Sequence, residues 1–346
     1  MTPYDSLRDI AFWRKAVTEK TNDEMMNLWD PVGYVQSDSR YATYGSCFAQ
    51  HIGKALVHRN LDWVDAEPAP YGLRPKEYSK FNYSTFSSRT GNIYTSSLLL
   101  QWLEWAVGDV LPPDEYWEQD GRIFDPFRPM IEPNGFSSIE EMRTSRQTTI
   151  GAFKKSIELA DCFVFTLGLT ECWRHETYGY EYPMCPGIRV GHFDAHLHSF
   201  ENQNFTQVLS ALEQSLCLIK QINPKIKIIL TVSPVPLIAT QSGEHVLVAT
   251  SLSKSILRAV AGEIENNDPN VKYFPSFEII TNPVFEGRFY EENKRSVSED
   301  GVAFVMRHFF GLLEKPSKER MPLFKQSEAL ELICEEELLD GWNEER

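Results

Sequence analysis

Compact, largely apolar runs alternate along the chain with longer segments in which apolar residues recur every three or four positions. The compact runs are typical of buried strands in a parallel sheet, and four of them stand out, at 40–44, 161–167, 225–232 and 271–275. The longer segments predict helices, near residues 47–58, 91–106, 138–160, 205–219, 245–265 and 298–313. Strands separated by helical crossovers predict an α/β fold, a three-layer α/β/α sandwich around a central parallel sheet.

Three segments rich in glycine, proline and aromatic residues interrupt this alternation, at 59–90, 108–135 and 174–204. We expect them to be long loop insertions that wall a pocket. One domain is expected over residues 1–315, followed at 316–346 by a linker and an acidic C-terminal tail. The tail contains apolar positions compatible with an amphipathic helix over 327–340, and a solvated tail is the alternative.

Composition narrows the class of protein. The 346 residues are 42% hydrophobic and 12% aromatic, which is sufficient for a large core, and no apolar run is long enough to span a membrane. The net charge of −15 argues against nucleic-acid binding, which requires a basic surface. The beginning of the chain lacks the pattern of a secretory signal, and the six cysteines lack the paired spacing of metal or redox sites. These features predict a cytoplasmic protein.

The segment around Cys47 carries the most specific candidate chemistry. The first predicted strand stops at Gly45 and a helix follows at once, so Ser46 and Cys47 lie at the junction. A helix N-terminus favours the thiolate form of cysteine, and the amide of Cys47 faces the same way as its sulfur. This arrangement predicts a nucleophile with half of an oxyanion hole. The alternative is a buried core thiol after an ordinary Gly-Ser turn.

The five residues at 45–49, Gly-Ser-Cys-Phe-Ala, are identical to the signature of the GSCFA family. The resemblance covers approximately residues 10–315 and continues at 91–95, 125–128, 166–171, 231–237 and 273–278. It implies a branch of the SGNH/GDSL esterases and acyltransferases, with their SGNH/flavodoxin-like fold. Where that superfamily has Gly-Asp-Ser with a nucleophilic serine, this chain has Gly45, Ser46 and Cys47. The resemblance therefore implies a thiol nucleophile at Cys47, with Ser46 as the alternative.

The resemblance also implies an oxyanion hole that combines the N–H of the nucleophile with a glycine N–H and an asparagine side chain. Gly91, with Asn92 beside it, is the candidate for the second donor, and a helix N-cap is the alternative role. Gly168 and Thr170 stand where the superfamily has Gly-x-Asn, so the hydroxyl of Thr170 would replace the amide. Each well-placed donor is worth about 3–4 kcal/mol in the barrier.

The general base is where the chain departs from the superfamily. Asn293 and Ser296 stand at the two positions of the expected Asp-x-x-His block, so the usual histidine is absent. His245, which follows a predicted strand by a short loop, is the first candidate to replace it, and His192, His196 and His198 are the second. His51 lies one helical turn beyond Cys47 and is a candidate for tuning the thiol.

Two further residues at predicted strand ends complete the candidate site. Ser233 ends the 225–232 strand and is expected to contact the substrate. Glu171 follows the 161–167 strand and is a candidate catalytic carboxylate. A structural ion pair between Glu171 and either Arg128 or Arg174 is the alternative. Because ligands bind at the carboxyl ends of parallel strands, we expect these residues to lie near Cys47.

A histidine-rich stretch admits a metal site as a less favoured interpretation. His192, Asp194, His196 and His198 alternate along one segment, which would place ligands on one side of an extended chain. No further matching ligand is evident, so we expect no metal and no bound cofactor.

Together these features predict an acyltransferase or esterase that moves a short acyl group, such as acetyl, through Cys47. The substrate is expected to be a small molecule or a carbohydrate, for example a polysaccharide precursor held by the aromatic insertions. Acyl-CoA is the donor suggested by thiol-bearing members of the superfamily. The alternative is a catalytically degenerate module that binds a carbohydrate or a protein partner. The oligomeric state is left open.

Overall fold

The structure, a computed structural model, describes residues 2–26, 28–311 and 339. The linker and most of the expected tail helix lie outside these residues. The strands and α-helices follow in chain order as β1 (Arg40–Gly45), α1 (Ala49–His58), β2 (Asp62–Trp63), α2 (Ser96–Val107), β3 (Trp117–Gln119), β4 (Arg122–Phe124), α3 (Ile139–Leu159), β5 (Cys162–Leu167), β6 (Glu171–His175), β7 (Glu181–Tyr182), β8 (His198–Asn202), α4 (Phe205–Ile222), β9 (Lys227–Val232), α5 (Val246–Asn267), β10 (Val271–Phe274), α6 (Ser276–Thr281) and α7 (Glu299–Phe310).

The central sheet has five parallel strands in the order β10-β9-β5-β1-β2. Counted along the chain this is the 2-1-3-4-5 order of flavodoxin-like folds, in which ligands bind where the strand order reverses, between the first and third strands. Gly45 pairs with Thr166, and Thr166 pairs with Thr231, so β1, β5 and β9 end at one level. The predicted parallel sheet is confirmed.

Helices cover both faces of this sheet. On one face Tyr44 and Phe165 pack with buried residues of α2, α3, α4 and α5. On the other face Tyr41 and Val164 pack with buried residues of α1, α6 and α7. Alternate residues of β1 and β5 therefore enter two separate cores, as strands buried on both faces require. The expected three-layer α/β/α sandwich is confirmed. None of the described helices is long and apolar enough to cross a membrane.

The insertions contain more regular structure than their composition predicts. Within 59–90, β2 adds an edge strand next to β1. Residues 171–202 include a three-stranded antiparallel sheet in the order β7-β6-β8, in which Trp173 pairs with both Tyr182 and Phe200. Glycine, proline and histidine between these short strands hide their alternation in the sequence.

A buried ion cluster anchors the insertion at 108–135. Asp125 accepts hydrogen bonds from Arg128 at 2.9 Å and from Arg146 of α3 at 2.8 Å. The Asp125 and Arg128 side chains are fully buried. Burial alone raises the pKa of Asp125, but the charges of Arg146 and Arg128 outweigh it and hold the pKa below its usual value. The insertion is therefore fixed to the body of the domain.

Candidate active site

The turn after β1 is forced into its shape by Gly45. Its φ of +131° lies in a region that favours glycine, and a Cβ at this position would lie 2.4 Å from the carbonyl oxygen of Thr166. The same carbonyl accepts a hydrogen bond from the N–H of Ser46 at 3.1 Å. Helix α1 begins at Ala49, two residues later than predicted, so Cys47 belongs to the turn that leads into the helix.

Ser46 and Cys47 both line a small cavity at the carboxyl edge of the sheet. They are 2% and 5% exposed, and the Ser46 hydroxyl has no hydrogen-bond partner in the described structure. The cavity has a volume of about 10 Å³, which is room for about one water-sized group. Gly168 and Ser233, which follow β5 and β9, also line it. The structure thus brings together four of the predicted site residues.

The same cavity is lined by Lys254, which the sequence analysis missed. Lys254 lies in α5 and is 2% exposed, although lysine is rarely buried completely. Its Nζ atom donates a hydrogen bond to the carbonyl oxygen of Gly168 at 2.7 Å. The sequence spacing could have indicated this burial, because Lys254 precedes the buried Leu257 and Ala261 by three and seven residues and so lies on the same face of the helix.

The segment before α2 holds two of the strand ends together. The N–H of Ile93 donates to the carbonyl of Gly45 at 2.9 Å. The carbonyl of Tyr94 accepts hydrogen bonds from the N–H groups of Gly168 at 2.9 Å and Leu169 at 3.0 Å. Gly168 therefore directs its N–H to Tyr94 and its carbonyl to Lys254. The cavity lies at the reversal point between β1 and β5, where this strand order places ligands.

The profile of the GSCFA family matches residues 40–309. The chain belongs to the GSCFA family. The matched region begins with β1 and extends into α7, so it includes the whole central sheet and the cavity at its edge. A comparison with curated proteins found no match.

In this GSCFA protein, Gly91 and Asn92 lie close to the signature turn without opening a helix. Helix α2 begins at Ser96, after the N-cap Thr95. Gly91 adopts a φ of +72°, and the buried Asn92 accepts a hydrogen bond through Oδ1 from Gln50 at 3.4 Å. Neither Gly91 nor Asn92 lines the small cavity. The start of α2 was therefore predicted five residues too early, at Gly91 instead of Ser96.

Thr170 is already committed to other groups. Its hydroxyl donates to Oδ1 of Asn202 at 2.7 Å, and its N–H donates to the hydroxyl of Ser253 at 3.2 Å. It does not line the small cavity. The hydroxyl expected to replace the asparagine of the superfamily thus holds β8 in place. Ser233, by contrast, lines the cavity, and its Oγ accepts only a 3.3 Å bond from the N–H of Val235 among the described contacts.

Glu171 lies in a larger cleft next to the small cavity. Burial raises the pKa of Glu171, and a hydrogen bond from the Thr240 hydroxyl opposes this shift. The suggested ion pairs are not the ones formed, because Arg128 pairs with Asp125 and Arg174 pairs with Glu201. Glu171 is thus a partly buried carboxyl group at the wall of the cleft, and its catalytic role stays a prediction.

None of the histidine candidates, for the base or for tuning the thiol, lines the small cavity. His245 is exposed and caps α5, where its Nδ1 accepts a hydrogen bond from Leu247 at 3.2 Å. His51 lies in the first turns of α1; burial lowers its pKa to about 3, and the charge of Lys54 acts in the same direction. His51 is therefore neutral near neutral pH. Neither ring lines the small cavity.

The remaining sequence candidates serve local structure. Asn293 and Ser296 hydrogen-bond each other at 2.9 Å in a turn. In the histidine-rich segment, Nδ1 of the buried His198 accepts from the N–H of Asp194, whose carboxylate accepts from the N–H of His196. The described residues contain no group of three or more histidine, cysteine or acidic side chains placed to hold a metal.

Proposed function

We propose that this GSCFA protein transfers acyl groups through the thiol of Cys47, with the amine of Lys254 as general base. The observation that supports it is the shared cavity, in which Cys47, Ser46 and a buried lysine surround room for one small group. A nucleophile and a base in one enclosed site form the usual arrangement for covalent catalysis. We further propose that the family is a branch of the SGNH superfamily, which the 2-1-3-4-5 strand order supports.

Lys254 is suited to accept a proton in this position. In its neutral form the amine donates one hydrogen to the carbonyl of Gly168 and retains a lone pair. Burial disfavours ammonium ions in general, and buried lysines serve as bases in other enzymes. The proton of the Cys47 thiol passes to this lone pair as the sulfur attacks the acyl carbonyl. The leaving alcohol or thiol then takes the proton from the Lys254 ammonium, and the acyl group remains on Cys47 as a thioester.

The second half-reaction reverses these steps. A hydroxyl, amine or water acceptor gives its proton to Lys254 and attacks the thioester carbonyl, and the released thiolate of Cys47 regains the proton. The negative carbonyl oxygen that forms in each half needs hydrogen-bond donors. N–H groups at the start of a helix lack intrahelical partners, so the amides of the turn before α1 are candidates for these donors. We assign the buried, unpartnered hydroxyl of Ser46 as a further donor, in place of Thr170.

The position of the acyl group can be tested by intact-protein mass spectrometry. Wild type, Cys47→Ala and Ser46→Ala are incubated separately with acetyl-CoA and with p-nitrophenyl acetate. The proposal predicts a labile acyl adduct in wild type and, more slowly formed, in Ser46→Ala, and none in Cys47→Ala. An adduct that persists in Cys47→Ala but is lost in Ser46→Ala would assign the nucleophile to Ser46. The absence of adduct and turnover with both acetyl donors, and with p-nitrophenyl octanoate as well, would contradict acyl transfer and favour a binding module.

A further inference from the structure

We propose that the acyl group handled at Cys47 is an apolar chain, longer than acetyl, that occupies the large cleft beside the small cavity. The inference rests on the proposed function for the reaction at the carbonyl. It replaces the expected acetyl group and carbohydrate with a substrate class defined by the cleft.

The two spaces are adjacent and differ greatly in size. Tyr94 and Leu169 line both of them. The small cavity of about 10 Å³ accepts one group such as a carbonyl oxygen, whereas the cleft has a volume of about 350 Å³. The cleft falls in the range of pockets that bury small organic ligands. A substrate whose carbonyl group reaches Cys47 must therefore place the rest of its atoms outside the small cavity. The cleft is the adjacent space, because Tyr94 and Leu169 line both.

The lining of the cleft favours hydrocarbon. Apolar and aromatic side chains from four elements and the loops between them form most of its wall, including Leu98, Trp173, Tyr182, Met184, Ile188 and Phe200. Among the described residues of this lining there is no lysine or arginine to balance a phosphate or carboxylate. Burial of such surfaces against a hydrocarbon chain is favourable by about 0.8 kcal/mol per methylene, or about fourfold in binding for each.

The acidic groups of the cleft do not supply a polar binding site. The buried carboxylate of Glu181 accepts hydrogen bonds from the hydroxyls of Thr95 and Ser97, and its backbone pairs with Gln101. Burial raises the pKa of Glu171, which disfavours its charged form. A sugar would need free donors and acceptors on the wall, and these carboxylates are already engaged.

Leu339, from the C-terminal region of the chain, also lines the cleft. It is partly buried there. The cleft thus already contacts one aliphatic side chain that is remote in sequence. A substrate chain and Leu339 would compete for the same apolar surface, so removing the Leu339 side chain is expected to strengthen binding of a hydrocarbon chain.

The first test measures kcat/KM for p-nitrophenyl esters from acetate to decanoate with the full-length protein. The proposal predicts that kcat/KM rises by at least about tenfold from acetate to octanoate. This is a conservative expectation, because complete burial would contribute about fourfold for each added methylene. In Ile188→Trp and Met184→Trp, where the added ring fills part of the cleft, the ratio of octanoyl to acetyl kcat/KM should fall by about tenfold. Leu252→Trp, on the exposed face of α5, is the matched control and should keep the wild-type ratio.

The second test measures binding without chemistry, by calorimetry with the uncharged probe N-methyldecanamide. Wild type and Leu339→Ala should bind it, with tighter binding in Leu339→Ala, and Ile188→Trp should bind it at least tenfold more weakly. Binding without turnover of any ester would support the cleft assignment and contradict acyl transfer. Acetyl turnover equal to octanoyl turnover, together with no binding of the amide, would overturn the cleft assignment and leave acyl transfer standing.

Discussion

The side-chain nitrogen of Lys254 lies 2.7 Å from the main-chain carbonyl oxygen of Gly168. A Cβ at residue 168 would lie 3.0 Å from Cβ of Ser46 and 3.0 Å from the carbonyl oxygen of Tyr94. Gly168 therefore connects the amine in α5 with the signature turn after β1. A shift of this residue would move the proposed base relative to the proposed nucleophile.

The variant Gly168→Ala tests this connection. The added methyl has ordinary space only if Ser46 or Tyr94 moves by a few tenths of an ångström, so stability should fall by about 1–3 kcal/mol. Misplacement of reacting groups is more costly, and kcat/KM should fall by about 10- to 100-fold. Urea unfolding and steady-state kinetics measure the two effects. Wild-type kcat/KM in a folded Gly168→Ala protein would contradict the proposed coupling.

Gly45→Ala is expected to destabilise the fold for two reasons at once. The substitution combines an unfavourable φ with a Cβ 2.4 Å from the Thr166 carbonyl, so we expect a loss of about 2–5 kcal/mol in unfolding free energy. Gly72→Ala is the control, because Gly72 has a φ of +97° but no atom within 4 Å of its Cβ position. That change should cost about 1–2 kcal/mol. Equal losses in both variants would show that the Thr166 contact carries no cost.

Asp125→Asn tests the ion cluster that anchors the 108–135 insertion. Removing the carboxylate leaves Arg128 and Arg146 buried without their counter-ion, which should cost about 3–5 kcal/mol at pH 7. Asp114→Asn breaks an exposed pair with Arg143 and should cost less than about 1 kcal/mol. Urea unfolding at pH 7 compares the two. A loss below 1 kcal/mol in Asp125→Asn would show that the buried cluster does not stabilise the domain.

The same cluster predicts a pH dependence. Because the folded-state pKa of Asp125 is lowered, its contribution to stability is present above the unfolded value of about 3.9 and is lost as the pH falls toward the folded value. Wild type should therefore lose stability below about pH 4 more steeply than Asp125→Asn. Parallel stability curves for the two proteins in this range would contradict the assignment.

Much of the fold follows from the order of apolar residues. The runs that became β5 and β9 are buried on both faces, and their composition shows this directly. Short elements escaped prediction, because the two residues of β2 are defined by pairing with β1 and not by a local pattern. The strands of the 171–202 sheet are likewise set by their partners, such as Trp173 with Phe200.

The sequence predicted the site residues that follow strand ends, but it did not predict the one whose position depends on how a helix is rotated against the sheet. Ser46, Gly168 and Ser233 meet because their strands end in register. Lys254 was missed because apolar residues recur on more than one face of α5, including the exposed Leu252. The spacing of apolar residues locates a helix in the sequence. It does not determine which face of the helix is buried when apolar residues occur on more than one face, and packing against the sheet decides this.

The central claim is that Lys254 acts as the base for Cys47, and the rate of acyl-adduct formation in a single turnover tests it most directly. The comparison is between wild type, Lys254→Met and Lys272→Met, the last being an exposed lysine of β10 as control. A general base contributes about 10²–10⁴-fold, so Lys254→Met should slow acylation at pH 7 by at least about 100-fold, while Lys272→Met should not.

The pH dependence separates a base from a structural support. An ordinary thiol ionises near pH 8.5, so hydroxide above that pH replaces the missing base, and acylation of Lys254→Met should approach the wild-type rate. A folded Lys254→Met protein that acylates within about threefold of wild type at pH 7 contradicts the account, since a base should contribute far more. A deficit that remains constant from pH 7 to above pH 9 would also contradict it, because it would assign Lys254 a structural role alone.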